Sequence, residues 1–127
     1  MADADEAVAR EVVSRMSRAD FAGVRQAFDE PMRMAVSEDK LRDAWERATL
    51  MYGDFDHVGE PVAGTARGAI LYDFPIVFSR GTAHQQVVVK EGKVAGAALR
   101  PGRPTGRWEG NLLAWVLGRL RAIVRRA

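Results

Sequence analysis

The stretch GDFDHVGEP gathers Asp54, Asp56 and His57 within four positions, the only cluster of acids with a histidine in the 127-residue chain. Carboxylates beside an imidazole could ligate a metal ion or exchange a proton. The cluster follows Gly53, which is expected to end a helix, and Asp and His just beyond such a point are more often turn formers. Two histidines and no cysteine exclude thiol nucleophiles, disulfides and Cys-ligated zinc or iron–sulfur centres. GxSxG, Walker, GxGxxG and HExxH motifs are all missing from the sequence. The expectation is no metal and no cofactor, and no residue can be assigned a catalytic role.

The other acid–histidine combination is Asp73 with His84. Whether it can act depends on how its strands pair. Val8, Val12, Val13 and Met16 recur near helical spacing over 3–17, and Asp20 reads as the N-cap of a short helix carrying Phe21, Val24, Ala27 and Phe28, with Pro31 as its stop. Ser37 is the next N-cap, with Glu38 and Asp39 in the first turn, where the helix dipole favours acids. The third helix puts Leu41, Trp45, Ala48 and Tyr52 on one stripe and ends at Gly53.

Beyond Gly53 the period falls to two and turn residues recur, which predicts antiparallel strands near 58–67, 69–79, 82–90 and 93–100. Taking Arg80-Gly81 and Glu91-Gly92 as two-residue hairpin loops fixes a register. One face, expected to be the core, carries Ile70, Tyr72, Phe74, Ile76, Phe78, Ala83, Gln85, Val87, Val89 and Val94. The other carries Leu71, Asp73, Val77, His84, Gln86, Val88, Ala97 and Leu99, a mixture too apolar to be fully wet. In this register Asp73 lies across from Val88 and His84 across from Val77, so the two are on the order of 13 Å apart and are expected to be separate surface or interface residues.

Three helices followed by a curled meander is the element order of the NTF2-like α+β cone, also called cystatin-like. The segments FDEPMRMAVSEDKLRDAWERATLMYGDF and YDFPIVFSRGTAHQQVVVKEGKVAGAAL resemble the DUF3887 family of NTF2-like domains over most of residues 20–100. The positions that carry the resemblance are Phe28, Asp29, Met32, Leu41, Trp45, Gly53, Phe55, Phe78, Arg80, Gly81, Gly92, Val94 and Gly96. They are turn glycines and core aromatics, so the resemblance implies a fold more than an activity. It also implies a pocket between sheet and helices. The candidate ligand-binding residues are Trp45, Tyr52, Tyr72, Phe74 and Gln85, with Met34 and Met51 near the rim.

The last segment, NLLAWVLGRLRAIVRRA, is apolar and arginine-rich. From Arg100 onward there are seven arginines against one acid, whereas the first 99 residues carry twelve Lys or Arg against sixteen acids. On a helix, Trp108, Leu112, Leu113, Trp115, Val116, Leu117, Leu120, Ile123 and Val124 span an arc of about 200°, wider than one sheet face requires. Packing on the domain or a partner is expected ahead of a peripheral membrane contact, because Gly110 and Gly118 weaken an isolated helix by about 1 kcal/mol each. The acidic remainder argues against nucleic acid.

The sequence thus predicts an NTF2-like domain over 1–106 and an amphipathic helix over 107–127. With no secretory signal and no run of roughly 18 apolar residues, a cytoplasmic protein is expected. The function expected is binding of a small apolar or amphipathic molecule, or of a partner protein, as a homodimer. The alternatives are a cyclase-, isomerase- or dehydratase-like enzyme of a small-molecule pathway, with Tyr72, Tyr52 or Asp73 as participants, and an adaptor acting through the last helix.

Overall fold

A computed structural model describes residues 2–66 and 68–101. The expected helix over 107–127 lies outside the described residues. Four helices, α1 (Ala2–Ser17), α2 (Phe21–Gln26), α3 (Glu30–Ala35) and α4 (Glu38–Tyr52), precede five strands, β1 (Phe55–Val58), β2 (Val62–Ala66), β3 (Ala69–Phe78), β4 (Gly81–Lys90) and β5 (Lys93–Pro101). The strands form one antiparallel sheet in the order β1-β3-β4-β5, with β2 also paired to β3. The architecture is α+β, with helices packed on the sheet.

One more helix forms than the sequence suggests, and the reason lies in Pro31. Asp29 caps α3 by accepting from the Met32 amide at 2.9 Å, so Pro31 falls in the first turn, where a missing N–H costs nothing. The proline opens a helix instead of closing one. Asp20 and Ser37 do cap α2 and α4, accepting from the amides of Gly23 and Lys40.

β1 and β2 together make one edge strand, interrupted at residues 59–61 opposite Pro75. Pro75 has no N–H to offer that edge, and its carbonyl instead accepts from the Gly59 amide at 2.7 Å. A side chain at Gly59 would press on the Pro75 ring, 2.8 Å from its Cγ.

The β3–β4 turn differs from expectation. Phe78 pairs with Gly81, so Ser79-Arg80 is the loop, and the β3–β4 register is shifted by two residues. Gly81 is required for another reason than a positive φ: a Cβ there would lie 2.6 Å from Cδ1 of Tyr52. The turn grips the end of α4. Arg80 donates from its amide to the Tyr52 carbonyl at 2.7 Å and from its guanidinium to the Leu50 carbonyl at 3.1 Å, while the Ser79 hydroxyl accepts from the Asp54 amide at 3.0 Å. These bonds satisfy carbonyls that a helix C-terminus leaves open. Gly53, at φ 90°, lets the chain turn there, and a side chain on it would strike the Ser79 hydroxyl. Trp45, Tyr52 and Phe55 then ring Phe78 with centroids 5.5–6.3 Å away.

A second junction ties the short helices to the far side of the sheet. Phe28 forms a parallel bridge with Val94, the Asp29 amide donates to the Val94 carbonyl at 2.9 Å, and the Val94 amide donates to Ala27 at 2.8 Å. Phe28, Asp29 and Val94 thus meet in one junction, and Trp45, Gly53, Phe55, Phe78, Arg80 and Gly81 in the other.

The Glu91-Gly92 joint is a two-residue loop as expected, both residues having positive φ (54° and 78°). A bulge between Val88 and Val89 then shifts β5 by one residue. Ala97 and Leu99, expected on the outer face, therefore point into the core, 7% and 0% exposed.

Candidate functional site

Two places bring together side chains that could do more than pack. The first is an open recess of about 250 Å³ between α1 and the sheet, lined by Arg10, Val13, Ser14, Ser17, Val58 and Phe74. Helical spacing sets Arg10, Val13, Ser14 and Ser17 on one side of α1, and Phe74 rises from β3 where the edge strand is interrupted. Val13 and Phe74, 2% and 1% exposed, lie at its base beside the half-buried Val58, and two hydroxyls and a guanidinium edge it.

The rim groups are already engaged in part. Arg10 donates to Glu6 at 2.7 Å and to Glu60 at 3.1 Å, so it bridges α1 to the interruption between β1 and β2. The hydrogen bond to Glu6, then that to Glu60, raises the Arg10 pKa further above its already high value. Ser17 donates to the Ser14 carbonyl at 2.7 Å, and Ser14 accepts from Arg18. Ser14 keeps a proton to donate and Ser17 a lone pair to offer.

Of the five ligand-binding candidates, Phe74 alone lines this recess. Trp45 and Tyr52 are half-buried and pack on Phe78, at 5.5 and 5.8 Å between centroids. Tyr72 and Gln85 are buried in the same core, 2% and 4% exposed. The Gln85 amide donates to the carbonyls of Gln86 at 3.2 Å and Ala98 at 3.1 Å. Met34 and Met51 are exposed. The α1 residues Arg10, Ser14 and Ser17 were missed by sequence reasoning; polar positions flanking Val13 on an otherwise apolar stripe were the available signal.

The second place is the outer face of the sheet. Asp73 pairs with Gln86 and Pro75 with His84, so Asp73 and His84 are diagonal neighbours on adjacent strands. His84 Nδ1 lies 2.8 Å from one oxygen of Asp73, and Gln86 Nε2 donates to the other at 3.2 Å. The expected separation on the order of 13 Å is overturned by the two-residue shift in the turn. An ionised Asp73 can only accept, so Nδ1 is the donor, and in the neutral ring Nε2 is then the acceptor. A carboxylate holding an imidazole in this way is the base-and-orienter half of a hydrolytic triad. His84 also lies across from Arg100 on β5.

Asp73 and Phe74 are consecutive on β3, so the dyad and the recess are on opposite faces and do not form one site. The Asp54–Asp56–His57 cluster is dispersed. His57 Nδ1 lies 2.9 Å from its neighbour Asp56, both side chains being at least 60% exposed, while Asp54 serves the α4 junction through its backbone. No group of three or more His, Cys, Asp or Glu among the described residues could hold a metal ion. No described helix is long and apolar enough to cross a membrane.

No protein-family model matches the chain, and no curated protein or solved structure matches it.

Proposed function

We propose that the chain is a non-catalytic, NTF2-like binding domain that takes a small, neutral, amphipathic molecule in the recess between α1 and β3. The observation that carries this reading is the lining: Val13, Val58 and Phe74 below, Ser14 and Ser17 at the edge, and no carboxylate or imidazole among the six residues. Arg10 is the only charge, and it is compensated by Glu6 and Glu60, so an anion gains little there. At about 250 Å³ the recess is just below the roughly 300 Å³ at which ligand sites begin. That size suits a molecule with a short apolar body and one hydroxyl or carbonyl. The resemblance to DUF3887 supports the cone. The reading extends to a homodimer, in which a second copy would cover apolar side chains such as Met34 and Leu50, 80% and 79% exposed.

The test is a thermal-shift and amide chemical-shift titration with neutral alcohols and ketones of six to ten carbons. A binder at a hundredfold excess over its Kd adds about 2.7 kcal/mol to stability and moves the amides of Val13, Val58 and Phe74. Ser14→Phe fills the recess from a half-buried helix position, and we expect it to abolish the response without lowering the melting temperature. No response to any compound at millimolar concentration would sink the proposal. Light scattering at two concentrations checks the dimer.

One observation favours an enzyme instead, the Asp73–His84 pair held by Gln86. An enzyme of this kind would work on the outer face, with His84 Nε2 as the base. Loss of turnover in His84→Gln with any substrate found for the full chain would replace the binding reading.

A further inference from the structure

We infer that the outer face of the sheet is the seat of the chain's own C-terminal segment, residues 108–127. The chain's own atoms leave Val88 and Ala98 0% exposed, Ala69 2% and Ala95 4%. These four, with Leu71, make a separate apolar cluster to which no described helix contributes a side chain. The described helices bury their apolar residues on the opposite face, against Tyr72, Phe74, Ile76 and Phe78. Val88 lies across from Leu71 on β3 and Gly96 on β5, and strands about 4.8 Å apart with a single large side chain beside it leave the top of a valine open to a further layer. The 26 residues beyond Pro101 are enough chain to cover this face.

Reach and pattern agree. β5 runs to Pro101 with Arg100 across from His84, so the chain leaves from the sheet itself. The six residues 102–107 extend to about 20 Å, and the sheet is only about 15 Å across its four strands. The apolar arc of about 200° from Trp108 to Val124 needs a broad apolar floor. Asp73 fits the same picture: a carboxylate under an apolar cover must have its oxygens bonded, and His84 and Gln86 take both. The surplus of arginine after Arg100 also complements the acidic surplus before it.

The chain's lack of cysteine makes the test direct. Leu71→Cys, at a half-buried outer-face position, is combined in the full chain with one second cysteine, at Leu112, Val116 or Leu120 on the arc, or at Arg121 or Arg125 opposite it. With oxidised glutathione as the two-electron acceptor, we expect disulfide formation within the monomer, insensitive to dilution and roughly tenfold faster from the arc than from the arginine positions. Cross-links found only in dimers would overturn the inference in favour of a second copy on this face. No cross-link at any position, with the chain sedimenting on phosphatidylcholine–phosphatidylglycerol vesicles, would overturn it in favour of a membrane surface. Amide exchange at Val88 and Ala98 in the natural chain serves as the second readout: strong protection is expected, and rapid exchange of both would also overturn the inference.

Discussion

Along β3, Tyr72, Phe74, Ile76 and Phe78 are at most 3% exposed, while Leu71, Asp73, Pro75 and Val77 between them are half-buried. The inner face is uniform in kind, aromatic or aliphatic, and meets four helices. The outer face alternates leucine and valine with aspartate, proline, histidine and glutamine, and its polar members bond to one another. Uniform apolar character drives collapse without regard to partner, since burial of each such side chain stabilises by roughly 1.5–3 kcal/mol. A mixed face stays folded only if the polar groups find one another, which depends on register. The inner face is thus specified by composition and the outer one by pairing.

The largest expected effect tests the inner half of that contrast. Phe78 is 3% exposed and ringed by Trp45, Tyr52 and Phe55. Phe78→Ala should cost about 3–5 kcal/mol, read as a lower urea midpoint with unchanged slope. A loss near 1 kcal/mol would mean that the aromatic ring around the α4 junction collapses into the space, and that composition alone does not hold this face.

Val88 probes the other half. On an open sheet face Val88→Ala would cost well under 1 kcal/mol, whereas at a position 0% exposed it should cost about 2 kcal/mol through the two lost carbons and the space they leave. The same urea experiment separates the two values. The smaller value would make the outer face wet and leave Ala98 and Val88 without a cover.

The same division decides what could be read from the sequence. The inner set from Ile70 to Val94 follows from alternation alone, and a shift of the strands by two leaves it unchanged, because side chains repeat every second residue. The α4 caps were legible for a similar reason: Ser37 and Gly53 act locally. Asp73 and His84 were legible as residue types but not as a pair, since their contact depends on whether the loop is Arg80-Gly81 or Ser79-Arg80. Gly81 misled because its small size serves a contact with Tyr52, far earlier in the chain, and not the turn. Ala97 and Leu99 were misplaced by the bulge at Val88, which no residue type announces. The recess was illegible because it lies where α1 passes the interruption in the edge strand, a tertiary meeting that involves Arg10 and Glu60.

The smallest effect is the most informative about the dyad. The side chains of Asp73 and His84 are 30% and 36% exposed, so their attraction is shared with solvent. A double-mutant cycle of Asp73→Ala and His84→Ala should give a coupling of about 0.5–1 kcal/mol. Gln86, 7% exposed, loses its acceptor when Asp73 is removed, so Asp73→Ala alone should cost more than His84→Ala. That inequality marks a carboxylate held in place by its neighbours and a histidine that serves it. The reverse order, with His84→Ala the costlier change, would mean that the imidazole is the anchored group and Asp73 its accessory, the arrangement expected of a base built for chemistry. The ranking of two single mutants therefore separates a polar strut on a covered face from the start of an active site.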